Sequence, residues 1–358
     1  GVPALCDGLP ADLPGMAPAR YGRDAVAMAT ATALSPEGFD AALLLGACDT
    51  AVPGLLIGAL HFGHLPAILV PGPPAGRDGD RSPGACACPG AAGPARVLVE
   101  VMGLHLPGAA FAALHPELGE ALTRAAARRA VQITARGAEY TPVGEVVDER
   151  AIVNAVVALL ATGGAADHTP HLVAVAAAAG IKLTWDDLAD LAEVVPLLTR
   201  TPRADRAEAH RFRAAGGVPA LIGELLDAGL LHDDVLTVAG RGLDRYRAAP
   251  ALRDGELVWE EPAAPGGDPE VLRPVAAPFS PAGGIRVVSG NLGRAVGTVS
   301  AVRPEHLVTE APALVFDDQL ELLRAFETGR LDGRDFVAVV RYQGPRAHGG
   351  PGPHPLAS

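Results

Sequence analysis

Cys48, Asp49 and Thr50 follow an apolar run, Ala41 to Leu45, that closes at Gly46. A thiolate beside a carboxylate places a soft and a hard donor at one point of the chain, which is the donor chemistry of a metal or iron–sulfur site. The same residues also fit a small buried cysteine followed by a helix-capping aspartate. Cys86 and Cys88 form a C-x-C pair in a stretch of Gly, Pro, Asp and Arg. Such a pair either chelates a metal or arises by accident. His61/His64 and His168/His171 have the i, i+3 spacing with which one helix face offers two imidazoles to an ion. No third or fourth ligand is adjacent in sequence, so structural or substrate-contact roles come before zinc. Gly163-Gly164 precedes His168 and fits two roles. It is an anion cradle of free N–H groups at a helix start, or a helix stop followed by a new start.

The elements that must position these groups are legible around them. Pro66 to Val70 is a second apolar run, bounded by Pro71 and Gly72, and Val52 to Phe62 is long enough for a crossover helix. Short apolar runs flanked by turn residues predict strands buried on both faces. The unit is βαβ, and parallel α/β sheets bind ligands beyond the carboxyl ends of strands, where Cys48 and Asp49 stand. Helices are expected at Arg23–Leu34, His115–Gly137, Leu172–Ala179 and Pro219–Ala228. Thr184 with Asp187 predicts a capping box for a helix ending near Leu198. Arg96–Met102 reads as a strand or buried segment. Residues 248–283, rich in Pro and Gly, read as a linker or long excursion. Beyond them IRVVSG, AVGTVSAV, ALVFDD and FVAVVRY are short β-type runs. The expected architecture is α/β. A large domain with a parallel sheet (1–262) is followed by a linker (263–283) and the start of a smaller β-rich domain (284–358).

Composition narrows the partners. The chain has 358 residues, 49% of them apolar, enough for a substantial core, and a formal net charge of −12. That charge disfavours nucleic acid and anionic membrane, but leaves room for an anionic substrate in a local basic pocket. The single lysine is Lys182. Four cysteines are too few and too unevenly spaced for a disulfide framework, so a reducing cytoplasm is the default. No apolar run reaches transmembrane length and no signal peptide is evident. The chain starts at Gly1 with no lead-in element and reads as part of a longer protein.

Several segments go beyond generic α/β: GVPALCDG (1–8), FDAALLLGACD (39–49), VLVEVMGLHLPG (97–108), VNAVVALLATGG (153–164), HTPHLVAVAAAAGI (168–181), GLLHDDVLTVAG (229–240), SGNLGRAV (289–296) and QGP (343–345). In this order they resemble the dihydroxyacid/phosphogluconate dehydratase family, its phosphogluconate branch most of all. The resemblance implies a large α/β domain followed by a swivelling β-rich domain. It also implies a cytoplasmic homodimer and a hydro-lyase acting on a sugar-acid phosphate. The implied reaction is 6-phosphogluconate to 2-keto-3-deoxy-6-phosphogluconate, a step of the Entner–Doudoroff route. It implies an iron–sulfur cluster (4Fe–4S, with 2Fe–2S as the alternative) and Mg²⁺ or Mn²⁺. Carried over by position, Cys48 and Cys86 match cluster ligands and Asp49 matches a cation ligand. By the same resemblance, Gly163, Gly164 and His168 fall in the segment expected to meet substrate.

The chain also departs from the family pattern. Thr50 stands where the family has Lys. Ala165-Ala166-Asp167 replace Ser-Thr-Asn, and Gly350-Pro351-Gly352 replace a segment with a cation-binding Glu. The serine expected to act as base belongs to a part of the second domain beyond this chain. Little or no turnover by the isolated chain is therefore expected. The alternatives are a non-catalytic remnant of the family and a related sugar-acid or dihydroxyacid dehydratase.

Overall fold

Strand β1 (Ala42–Gly46) and strand β2 (Ala67–Pro71) pair in parallel, from Ala42 opposite Ala67 to Gly46 opposite Pro71. The computed structural model from which this is seen describes residues 22–36, 38–46, 48–72, 93–164, 166–199, 206–261, 267–300, 302–303 and 306–342. Cys6, Cys86, Cys88, Ala165, Gly350, Pro351 and Gly352, with the first and last motifs of the resemblance, lie outside the described residues.

Helix α1 (Gly22–Leu34) precedes β1, and α2 (Ala51–Leu60) is the crossover between the strands. The two helices pack closely because α2 presents Gly54 and Gly58 to α1, one turn apart. A Cβ at Gly58 would stand 2.6 Å from Thr30 Cβ and 2.7 Å from the Ala27 carbonyl. Burial on both faces holds for β2 but not for β1, where Leu43 and Leu45 are exposed. Ile68 and Val70 of β2 pack with Leu118, Leu122 and Ala126 of a later helix, and Leu43 and Leu45 lie outside that cluster.

Residues Pro94–Val101 form helix α3, not the strand their valines suggest. Pro94 occupies the first turn, where its missing N–H costs nothing. Every residue from Ala95 to Val101 is buried, and only Arg96 and Glu100, one turn apart, mark the helical period among the valines. Glu100 is fully buried there and accepts the N–H groups of Gly108 (2.8 Å) and Ala110 (2.7 Å). Burial raises its carboxyl to about 7 against the pull of those two bonds. The chain then runs beside β2, where Leu69 N–H donates to Leu104 O at 3.0 Å and His105 Nδ1 donates to Leu69 O at 2.7 Å.

Helices α4 (Pro116–Gln132) and α5 (Val143–Val146) lead to α6 (Glu149–Thr162). Asp148 caps α6 by accepting the Ala151 N–H at 2.9 Å. Its residues from Asn154 to Thr162 are all buried, the mark of a helix packed on every side. α3, α7 (His168–Ala178) and α8 (Trp185–Val194) pack against it, and α9 (Arg206–Ala214) and α10 (Gly217–Asp227) follow in the chain. The capping box at α8 forms as expected. Thr184 Oγ1 accepts the Asp187 N–H, and Asp187 Oδ2 accepts the Thr184 N–H at 2.7 Å.

A short antiparallel pair, β3 (Leu236–Thr237) with β4 (Gly240–Arg241), follows α10. The stretch expected as a linker contains a hairpin, β5 (Ala249–Arg253) with β6 (Glu256–Glu260). Trp259 ties it to the rest by donating to Pro107 O at 3.0 Å. Farther on, Leu272 and Ser280 bridge to Thr199 and Leu197. Tertiary pairing thus overrides the Pro and Gly content. Strands β7 (Ile285–Gly290) and β8 (Gly293–Thr298) form a second hairpin. The last unit, β9 (Ala313–Phe316), α11 (Gln319–Glu327) and β10 (Val337–Val340), pairs its strands in parallel around Phe316, Leu322 and Ala325. The strands match the expected β-type runs, and α11 between them is an addition. Among the described residues no helix is long and apolar enough to cross a membrane.

Two consequences follow for stability. Gly58→Ala should cost about 1–3 kcal/mol, because the α1–α2 contact must open; urea unfolding reads this, and an unchanged midpoint contradicts it. For Glu100 the folded carboxyl is the weaker acid, so the unfolded chain loses its proton first as pH rises. Stability from this group should therefore fall by about 3 kcal/mol between pH 4.5 and about 7. Glu100→Gln should flatten that slope, and parallel pH profiles for the two proteins would contradict it.

Candidate functional site

β1 ends at Gly46, and the turn carrying Cys48, Asp49 and Thr50 hands the chain to α2. Cys48 stands at the start of that helix. Its carbonyl accepts the Val52 N–H at 3.0 Å and its Sγ accepts the Ala51 N–H at 3.3 Å. Backbone N–H groups aimed at sulfur stabilise negative charge there. The Asp49 side chain is 31% exposed. Its Oδ1 accepts the Ala95 N–H from the first turn of α3 at 3.2 Å and lies 3.6 Å from His168 Nε2. Burial by itself would raise this carboxyl. The charge and hydrogen bond of His168, then the Ala95 N–H and His171, outweigh it and hold Asp49 below the usual carboxylate range.

His168 and His171 open α7 and are both buried, with ring centroids 6.3 Å apart and planes edge to face. Arg23 reaches them from α1: its Nη1 lies 3.5 Å from His171 Nδ1 and donates to Pro170 O at 3.4 Å. Burial, then the neighbouring charges of His168 and Arg23, push His171 down to about 3, so it is neutral near pH 7. Four elements thus meet at one point: the end of β1, the first turn of α3, the first turn of α7 and the start of α1.

The flanks of the segment that carries Cys86 converge on the same place. Gly72 N–H donates to Gly46 O at 2.8 Å, and Arg96 Nη2 donates to Gly72 O at 3.1 Å. The chain therefore leaves β2 beside the end of β1 and is next described at Asp49's partner helix. Cys86 itself lies outside the described residues.

Gly163 and Gly164 close α6. Gly163 has φ +63°, a left-handed cap, and its N–H points at Leu159 O and Leu160 O. Gly164 N–H donates to Leu159 O at 3.2 Å. A Cβ at Gly163 would meet Ser300 Cβ at 2.6 Å, and Ser300 Oγ donates to Gly163 O at 3.0 Å. Both N–H groups are engaged in ending the helix, and the turn carries the chain to His168. His61 and His64 sit apart from this centre, His61 against Phe62 and His64 accepting the Tyr140 hydroxyl through its carbonyl at 2.6 Å. Among the described residues, no group of three His, Cys, Asp or Glu is arranged to hold a metal. Thr50 is buried at 9% beside Asp49.

The family models agree on what this arrangement is part of. A model described as dihydroxy-acid/6-phosphogluconate dehydratase N-terminal matches residues 1–81 and 75–246, and its C-terminal counterpart matches residues 270–356. The chain belongs to the dihydroxy-acid/6-phosphogluconate dehydratase family. It is similar to proteins named phosphogluconate dehydratase from Pseudomonas aeruginosa (51% identical, covering 99% of this chain and 63% of the relative) and Rhizobium meliloti (48%, 100% and 64%). The protein of that name from Escherichia coli is 48% identical, covering 99% of this chain and 64% of its own length. The chain thus spans a little under two thirds of the relatives it matches.

Arg23 and the Ala95 N–H were invisible in the sequence as site groups, because each reaches Asp49 or His171 from an element distant along the chain. The Cys48-Asp49 pair and the i, i+3 histidine pair were the local signals that pointed here. His171 should stay neutral down to about pH 3, and histidine NMR should show its resonance flat between pH 5 and 8. Arg23→Ala should move its titration upward by removing a facing cation. A midpoint near 6.5 in the wild-type chain would contradict this site geometry.

Proposed function

We propose that this chain carries a phosphogluconate dehydratase site. The reaction is removal of water from 6-phosphogluconate to give 2-keto-3-deoxy-6-phosphogluconate, in the cytoplasm and in a homodimer. The observation that carries the reading is the meeting of Cys48, Asp49 and His168 beyond the carboxyl end of β1, in a chain 51% identical to a protein named for that activity. The donor set suits the implied groups. Cys48 and Cys86 would hold the iron–sulfur cluster, 4Fe–4S or 2Fe–2S, and Asp49 would hold Mg²⁺ or Mn²⁺. These groups, when bound, supply the Lewis acid that draws off a hydroxyl.

The chain's own residues supply position and charge. Asp49 is ionised across the neutral range, with the Ala95 N–H and His168 orienting its carboxylate. Cys48 points a sulfur from a helix start, where negative charge is favoured. His168, delivered by the Gly163-Gly164 turn with its Nε2 facing Asp49, is the proposed substrate-side contact. Arg23 and neutral His171 fix α7 behind it. Buried side chains of α2 and α7 pack behind the site.

A second reading is a family domain that has lost the reaction. Thr50, buried beside Asp49, offers no amine where the family pattern has lysine. The Ala166 N–H, where the pattern has a hydroxyl residue, donates to Thr298 Oγ1 at 2.9 Å.

Anaerobic reconstitution with iron, sulfide and Mg²⁺, followed by keto-acid detection, separates the two. The expected outcome is turnover at least about tenfold slower than a full-length relative, given several altered site positions, and abolished in Cys48→Ala. No keto acid from the wild-type chain, beside an active relative treated identically, would establish the second reading.

A further inference from the structure

A groove of about 970 Å³ runs between α4 and the β5–β6 hairpin. Four arginines line it: Arg124, Arg128 and Arg129 from α4, and Arg245 from the short 3-10 helix Leu243–Arg247. Trp259 of β6 lines it too, and Glu256 at the hairpin turn is the one carboxylate among its lining residues. In a chain of net charge −12 this is a local concentration of positive charge.

Nearby carboxylates answer half of that charge. Arg124 pairs with Glu120, and Arg129 donates to Glu139 Oε2 and to Val238 O, each at 2.6 Å. Arg128 and Arg245 are exposed, and among the described residues neither has an ion pair. Arg124 and Arg128 stand one turn apart, on the side of α4 away from Leu122 and Ala126, which cluster with Ile68 and Val70 of β2. Like charges at that spacing disfavour a helix, and an anion laid across them removes the repulsion. Arg245 reaches the same place from the other wall. The hydrogen bond and charge of Arg129, and then the charge of Arg245, hold Glu139 below the usual carboxylate range, so the two arginines converge from separate elements.

Trp259 supplies a second kind of surface. Its indole N–H donates to Pro107 O at 3.0 Å, while 40% of the residue stays exposed. The bond holds the ring in one orientation with part of its surface open to the groove. Aromatic rings presented beside arginines stack nucleobases, and arginine forks bind phosphate oxygens in pairs. The lining thus fits a ligand with several negative charges at one end and a flat ring at the other. A sugar-acid phosphate has no flat ring to stack. The volume lies at the upper end of the range of roughly 300–1,000 Å³ usual for small-molecule sites.

We propose that this groove binds a nucleoside triphosphate, with its phosphates on Arg124, Arg128 and Arg245 and its base stacked on Trp259. The site is separate from the Cys48–Asp49 centre and stands whether or not that centre is a dehydratase.

Calorimetric titration of the full chain with ATP tests it, without divalent cations and with tripolyphosphate and adenosine titrated in parallel. Saturable binding of ATP at one site per chain is expected, at least about tenfold tighter than tripolyphosphate, with none for adenosine. Joint substitution Arg128→Ala and Arg245→Ala should weaken ATP at least about tenfold. Trp259→Leu should bring ATP to the affinity of tripolyphosphate and leave tripolyphosphate itself unchanged. Thermal melts check that each variant folds. In a Trp185→Phe background Trp259 is the sole indole, and ATP should quench its fluorescence. Excess 6-phosphogluconate should leave ATP binding unchanged. Absence of saturable ATP binding, binding indifferent to the arginine pair, or displacement by 6-phosphogluconate would overturn the proposal. ATP binding no tighter than tripolyphosphate, or without quenching, would reveal an adventitious polyanion only and overturn the nucleoside assignment.

Discussion

The Asp49 carboxylate is the point on which the described structure of the site turns. It joins three elements that are far apart in sequence: β1, which delivers it, α3, whose first N–H it accepts, and α7, whose His168 faces it at 3.6 Å. A half-buried carboxylate is costly unless charge and hydrogen bonds compensate it. Here they do, and the group stays the stronger acid despite burial. The same arrangement leaves one face of the carboxylate toward solvent beside Cys48.

Packing around this point is tight for a reason that can be named. Gly54 and Gly58 let α1 lie directly on α2, and that contact brings Arg23 over α7 and His171. α6 supports the arrangement from below, buried along its length and closed by Gly163 against Ser300. Gly54 and Gly58 thus serve close helix approach. Surface ion pairs such as Arg211–Asp268 and Arg253–Glu260 add little stability each.

The parts of this structure that were legible in the sequence are those whose signal is local. The two apolar runs and the crossover helix of the first βαβ unit, the α8 capping box and the strands of the last 75 residues all rest on patterns a few residues long. The misses have physical causes. Buried on all sides, α3 shows its helical period only in Arg96 and Glu100, one turn apart, and its valines mimic a strand. The β5–β6 hairpin lies in a stretch whose Pro and Gly content reads as linker, and it is held by pairing partners and by Trp259 on Pro107. At the site, Cys48, Asp49 and His168 were legible by type and spacing. Their meeting was not, since it depends on how α7 and α3 pack against the end of β1. The resemblance to the dehydratases carried the chemistry that no single motif specifies.

The central claim is that the carboxyl end of β1 is an iron–sulfur site with Cys48 as a ligand. Its most direct test is the visible absorption and iron content of the chain after anaerobic reconstitution, for wild type, Cys48→Ala and Cys88→Ala. The account predicts sulfide-to-iron absorption in wild type and Cys88→Ala, and its loss in Cys48→Ala with the fold retained. The same spectrum and iron content in Cys48→Ala would contradict it.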